Sequence, residues 1–257
     1  MRLLVMRRGG LGDTLLMLPL LRCLRRAEPD AEITFAGVPE FAAPLLAHGV
    51  VDRVASVEDL ALWQPGRARE RLQPFDRVIG DVPDFADVPL APQALVPGIP
   101  AGRQLAQQAG FEPIWPDDSW LLPPRRSPTA DPPAGAVWLA PGSGGRRKCL
   151  PPAHWLALAR SLSPAAVEIV VVVGPAEVER DDPRRWPWPD RTSFFADRSV
   201  AELAAELAEA ALYCGHDSGT SHLAAALGVP TRLFFTVTDP AVWAPVGPHV
   251  EVVTATG

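Results

Sequence analysis

The stretch from Cys214 to Pro230, CGHDSGTSHLAAALGVP, constrains the fold of this chain more than any other. Ala210 to Cys214 is an apolar run with the length of a buried strand. Gly215 and Gly219 follow, allowing a sharp turn and close approach of a ligand to the backbone. Ala224 to Leu227 are strong helix formers, and Gly228 and Pro230 end the helix. This order places the amides of Ser218, Gly219 and Thr220 at a helix N-terminus. Unpaired donors and the helix dipole favour an anion there, typically a phosphate. An ordinary strand-to-helix turn, capped by Asp217 or Ser218, accounts for the same letters.

The rest of the chain repeats the alternation. Leu3 to Met6 reads as a buried parallel strand. Gly9, Gly10 and Gly12 follow, then a helix from about Asp13 or Thr14 to Ala27 that Pro19 should bend. Strands are predicted at Ile33–Ala36, Asp52–Ser56 and Arg77–Ile79, and helices at Glu40–His48, Asp59–Leu72 and Ala101–Ala109. Proline-rich loops cover Asp81–Pro100 and Glu112–Pro133, the latter with Trp115, Trp120, Arg125 and Arg126. Exposed tryptophans beside a cleft can hold a sugar, although core tryptophans are commoner. Beyond this linker come a strand at Ala136–Leu139, a helix at Pro152–Leu162 and an apolar strand at Glu168–Val173. After the loop Asp181–Asp190, Ser199 and Glu202 form a capping box for a helix to Ala210. Strands at Leu233–Phe235 and Val250–Val253 flank the Thr238-Asp239-Pro240 turn. Strands alternating with helices mean a doubly wound α/β protein. A length of 257 residues suits two domains, placed at 1–130 and 131–257.

A net charge of −6 argues against nucleic acid as a partner. Cys23, Cys149 and Cys214 are too far apart for a metal or redox pair, and a reducing cytoplasm is the simplest setting. Met1 to Met6 is too short for a signal-peptide core, and no run is long enough to span a bilayer. Arg22, Arg25 and Arg26 suit either a solvated helix face or contact with an anionic lipid.

Two further glycine turns carry polar groups. Gly9-Gly10-Leu11-Gly12 lacks the spacing of a dinucleotide fingerprint, which speaks against a nicotinamide oxidoreductase. Asp13 beside it suits a general base, if burial raises its pKa, or a helix cap. Pro141-Gly142-Ser143-Gly144-Gly145 precedes Arg146, Arg147 and Lys148, without the Walker spacing. Asp-x-Asp does not occur, so no metal bridge to a diphosphate is expected.

The block Gly215-His216-Asp217-Ser218-Gly219, with His222 and Ala224 to Thr231, closely resembles the nucleotide-sugar site of glycosyltransferase family 9. That family holds the ADP-heptose:lipopolysaccharide heptosyltransferases and their relatives. Arg7–Pro19, Ala140–Lys148 and Thr238–Pro245 match in order across nearly the whole chain. The resemblance implies the GT-B arrangement, two Rossmann-like domains facing across a cleft: an acceptor-side first domain and a nucleotide-sugar-binding second one. It implies an inverting, metal-independent transfer of a sugar, heptose from ADP-heptose or another nucleoside-diphosphate sugar. The acceptor is then a hydroxyl of a lipopolysaccharide-core or other glycan or glycolipid. No cofactor is expected. The enzyme would be cytoplasmic, with peripheral contact at the inner membrane.

Residue by residue, the resemblance makes Asp13 the catalytic base and Lys148 the cation that neutralises the diphosphate. Gly12, Ser143, Gly144, Ser218, Gly219, Thr220 and His222 would supply donors to the nucleotide sugar. Glu177 would bind ribose hydroxyls, with a helix-dipole role as its competitor. Asp217 would orient the sugar or the turn. Relatives usually carry an aromatic residue where this chain has Leu150. The chain also looks short in its first domain and stops soon after the Val250 strand. A non-catalytic nucleotide-sugar-binding relative, or a sugar-nucleotide epimerase of the same fold, stays open from the sequence; the presence of Asp13 speaks against the former.

Overall fold

The structure is a computed structural model that describes residues 1–113, 120–122, 135–162 and 167–254. It divides into two compact units, Met1–Arg126 and Ser127–Gly257. The boundary expected at 130/131 lies outside the described residues, as do Trp115, Arg125 and Arg126.

In the first unit, β1 (Arg2–Met6), β2 (Glu32–Gly37), β3 (Arg53–Ser56), β4 (Arg77–Gly80) and β5 (Val88–Pro89) form one sheet. Its order is β3-β2-β1-β4-β5, and every neighbouring pair is parallel. A parallel sheet is covered on both faces, so its central strands are apolar throughout; Leu3, Leu4, Val5 and Met6 of β1 are all fully buried. The helices are α1 (Leu11–Leu15), α2 (Leu18–Ala27), α3 (Pro39–Ala47), α4 (Pro65–Leu72) and α5 (Ala101–Gln108).

One bent helix from Asp13 to Ala27 is not what forms. The chain makes α1, breaks at Leu16 and Met17, and restarts as α2 with Pro19 in its first turn. Proline has no N–H to give a helix, and the first turn is where none is required. Pro65 acts alike: Asp59–Leu72 splits into a 3-10 turn, Val57–Leu60, and α4. Trp120 is buried, and a Cβ on Gly102 of α5 would lie 2.8 Å from its ring. Arg25 is committed to Asp52 at 2.6 Å.

In the second unit, β6 (Val137–Ala140), β7 (Ile169–Val173), β8 (Thr192–Ala196), β9 (Leu212–His216), β10 (Thr231–Phe235) and β11 (Val250–Thr254) build the sheet. The order is β11-β10-β9-β6-β7-β8, again all parallel. With strands counted from β6, this is the doubly wound order 3-2-1-4-5-6 of dinucleotide-binding folds. The helices are α6 (Pro152–Leu162), α7 (Pro175–Asp181), α8 (Val200–Leu207), α9 (Gly219–Ala226) and α10 (Pro240–Trp243). Val137, Leu139, Trp155, Ile169, Val171, Cys214 and Phe234 are among the residues of its core. The Ser199–Glu202 capping box opens α8 as expected.

Strand β8 has no counterpart in the sequence reading, β5 falls in the expected loop Asp81–Pro100, and helix α7 enters that reading only as the helix-dipole alternative for Glu177. Strand β8 is a half-exposed edge strand that follows a proline- and tryptophan-rich loop. Its ladder to β7 supplies the order that its own residues do not announce.

Gly215 is not a turn residue. It lies inside β9, paired with Ala140 and Leu233. A Cβ there would sit 2.6 Å from the Tyr213 hydroxyl and 2.8 Å from Ser221 Oγ. That space lets the fully buried Tyr213 reach Thr220 at 2.8 Å and Ser221 at 3.2 Å. Gly215→Ala should therefore destabilise the second unit by about 1–3 kcal/mol, as overpacked cores do, read as a lower urea midpoint.

Candidate functional site

In open parallel sheets, ligands bind beyond the carboxyl ends of the strands where the strand order reverses. The second unit reverses between β6 and β9. The turns that leave these strands are the glycine-rich Pro141–Lys148 and the two-residue Asp217–Ser218, which Gly219 of α9 follows; both lie in segments singled out from the sequence.

Asp217 joins them. Its carbonyl accepts from Ser143 Oγ at 2.7 Å. Its carboxylate takes Lys148 Nζ at 2.5 Å and Thr238 Oγ1 at 2.9 Å. The Asp217 side chain is 10% exposed and that of Lys148 31%, so Lys148 is anchored at the base and open at the rim. Arg180 of α7 donates to the carbonyls of Ser143 and Gly144 at 3.0 and 2.9 Å, holding the turn from its other side.

Ser218 caps α9 and accepts from the Ser221 amide. The Ser218 hydroxyl also meets Thr220 and Ser221, each at 3.0 Å. This network uses the third amide of the helix and leaves those of Gly219 and Thr220 without an acceptor among the described residues. His222 lies one turn in and is buried. Glu177 sits in the first turn of α7, accepting from the Gly174 amide at 2.8 Å. A Cβ on Gly142 would overlap its carboxyl group, so Glu177 borders the same turn. Ser143, Gly144, Lys148, Glu177, Asp217, Ser218, Gly219, Thr220 and His222 therefore all belong to the neighbourhood of one sheet reversal.

Gly12 and Asp13 lie in the first unit, on α1. That sheet reverses between β1 and β4. Arg7, which is 8% exposed, spans the two exit loops: it pairs with Asp13 Oδ1 and with Asp81 Oδ2, the latter at 3.1 Å. Asp13 Oδ2 accepts from the Gly10 amide at 3.0 Å. Gly9 has a φ of +131°, and a Cβ there would fall on the Asp13 carboxylate. Asp13 is half-buried and not enclosed. Its side chain is 36% exposed and ion-paired, so it is an oriented carboxylate rather than a buried one.

Arg7, Asp81, Arg180 and Thr238 are the site residues that the sequence did not single out. Arg7 and Thr238 lie within blocks that the sequence did single out, but their roles depend on partners far along the chain. Asp81, directly after β4, was readable only as the start of a loop. Leu150, where an aromatic residue was expected, packs on the core and donates its amide to His216 Nε2 at 2.8 Å.

A family model described as glycosyltransferase family 9 (heptosyltransferase) matches residues 103–257, which include all of the second unit's candidate residues. The chain is similar to lipopolysaccharide heptosyltransferase 1 of Pseudomonas aeruginosa, 28% identical over 284 residues covering 93% of this chain and 80% of that one. It also resembles the solved structure of E. coli heptosyltransferase WaaC with ADP, with a TM-score of 0.74, 21% identity and coverage of 99% and 93%. A glycosyl transferase family 9 structure from Veillonella parvula gives a TM-score of 0.79, 16% identity and coverage of 100% and 87%. Among the described residues, no helix is long and apolar enough to cross a membrane.

Breaking the Lys148–Asp217 pair from one side should cost more than removing both charges. Lys148→Met alone leaves a largely buried carboxylate with Thr238 as its remaining partner. The cycle of Lys148→Met, Asp217→Asn and the double variant should show a coupling of about 1 kcal/mol or more in urea unfolding. Acid acts through His216, whose imidazole burial pushes down to about 4. The unfolded chain takes that proton near pH 6.5, so it binds more protons than the folded state between the two values. This contribution to stability should be complete above about pH 6.5 and fall as pH drops toward 4, by at most about 1.4 kcal/mol per pH unit. His216→Gln should flatten that part of the stability profile.

Proposed function

The chain belongs to glycosyltransferase family 9, with the GT-B fold of two Rossmann-like units, and from this premise we propose that it transfers a heptose from ADP-heptose to a glycan hydroxyl. The observation that carries the reading is the convergence, at one sheet reversal, of Lys148, the N-terminus of α9 and the Ser143–Gly144 turn. A diphosphate needs this combination of a cation, free amides and a close backbone. ADP and heptose come from the relatives: the solved E. coli heptosyltransferase holds ADP, and the family description names heptose transfer.

In this reading the donor diphosphate lies on the Gly219 and Thr220 amides and on the free donors of Lys148. Asp217 keeps Lys148 at the rim. Glu177 faces the ribose. Asp13, aimed by Arg7 and the Gly10 amide, takes the proton of the acceptor hydroxyl. The acceptor oxygen bonds to the anomeric carbon from the face opposite the leaving group, so the configuration inverts. The bond from that carbon to the phosphate oxygen breaks, and ADP leaves with the electron pair. Lys148 and the dipole of α9 stabilise the charge that grows on ADP, without a divalent cation. The acceptor is a lipopolysaccharide-core or related glycan, met at the inner membrane surface.

Calorimetry with ADP, UDP and GDP, with and without magnesium, tests the donor site. Selective ADP binding that is indifferent to magnesium is expected. Lys148→Ala should weaken it by about 10- to 100-fold, the value of a hydrogen bond to a charged group. Asp13→Ala should leave ADP binding intact and lower turnover by about 10²- to 10⁴-fold, the range of a general base. Preference for UDP or GDP would replace the donor, and no diphosphate binding would overturn the reading.

A further inference from the structure

We propose that His216 is a positioning residue of the donor site: its imidazole, neutral with the proton on Nδ1, clamps the turn Pro141–Lys148 onto the end of β9. The proposal rests on the reading of that turn as the diphosphate site.

The geometry is that of a bridge. His216 is the last residue of β9 and is 0% exposed. Its Nε2 accepts the Leu150 amide at 2.8 Å. Leu150 lies two residues beyond Lys148, so this bond ties down the far end of the turn. The backbone of Gly142 and Pro141, at the near end, lies close to the ring, and Nδ1 is buried there without a hydrogen-bond partner among the described residues. The His216 carbonyl meanwhile accepts from the Ser221 hydroxyl in the first turn of α9. One residue thus holds the cation-bearing turn with its side chain and the phosphate-binding helix with its backbone.

Chemistry dictates the tautomer. A nitrogen that accepts an amide proton carries none of its own, so the single proton of the neutral ring is on Nδ1. A second proton would occupy the lone pair that Leu150 uses and set two donors against each other. The surroundings oppose it. Trp155 stands edge-on to the ring at a centroid distance of 5.0 Å. His154 of α6, which packs edge-on against Trp155 and Phe234, is near enough to disfavour a cation there. Asp217 favours one, but its carboxylate already serves Lys148 and Thr238. Burial is the largest influence and favours the neutral ring.

The sequence explains why histidine serves here. The position needs an acceptor that reaches across the turn, with an apolar body that packs against Trp155 and the core. Glutamine can present an oxygen to the Leu150 amide, whereas phenylalanine keeps the packing and presents nothing.

The test uses the full chain at pH 7.5. Nitrogen-15 imidazole spectra of the wild type should show Nε2 unprotonated and Nδ1 protonated; a proton on Nε2 would overturn the proposal. His216→Phe should speed hydrogen exchange of the Leu150 amide and weaken ADP binding by about 10-fold, the scale of a buried donor left unpaired. His216→Gln should keep Leu150 protected and ADP affinity within about 3-fold of wild type. Equal losses in both variants, or wild-type ADP affinity in the phenylalanine variant, would overturn it. If the phenylalanine variant fails to fold, the tautomer and the glutamine variant still decide. If the wild type binds no ADP, the donor-site reading fails by itself, and Leu150 exchange in the two variants still reports whether His216 holds the turn.

Discussion

The salt bridge from Lys148 to Asp217 is the contact on which the second unit's site depends. Two turns leave neighbouring strands in opposite directions across the sheet, and among the described residues no backbone ladder joins them beyond the strand ends. Asp217 closes that gap with its carbonyl to Ser143 and its carboxylate to Lys148 and Thr238. Because Asp217 is largely buried, the pair sits where Coulomb attraction is less screened than on the surface. The same burial makes each member intolerant of losing the other. The cation is therefore held in place by Asp217, with its side chain partly exposed.

The first unit solves the same topological problem with the charges reversed. There the central group is a buried cation, Arg7, and the two carboxylates it joins come from the loop after β4 and from α1. The group left at the rim is Asp13, a carboxylate. One unit thus presents an anchored ammonium and the other an anchored carboxylate, each at the reversal point of its own parallel sheet. Anchoring matters more than charge alone, because a group held in one orientation needs no reorganisation when charge develops nearby.

Space is controlled as tightly as charge. Gly9, Gly142 and Gly215 occupy positions where a side chain would overlap Asp13, Glu177 or the Tyr213–Ser221 hydroxyls. Only Gly9 among these three has the positive φ that sterics reserve for glycine. The other two are glycine because something else fills the room. Around β9 that something is a chain of hydroxyls, Tyr213, Thr220, Ser218 and Ser221, which leaves two helix amides unspent.

The sequence by itself determined the fold class and most strands. Apolar runs such as Leu3–Met6 and Ile169–Val173 suit only strands covered on both faces, and the helical stretches between them force parallel connections. It also located the loops that carry the site, because glycine next to Asp, Ser, Thr or Lys at a strand end has few structural explanations. Tertiary structure decided the rest. Residues 74 apart in the chain, Arg7 with Asp81 and Ser143 with Asp217, become partners only through the strand order. Strand β8 exists because β7 offers it a ladder, and Pro19 starts a helix instead of bending one because the preceding turn can end at Leu15. The alternation of apolar and polar residues encodes local form. Which distant charge meets which is encoded nowhere locally, since it follows from the order in which the strands assemble.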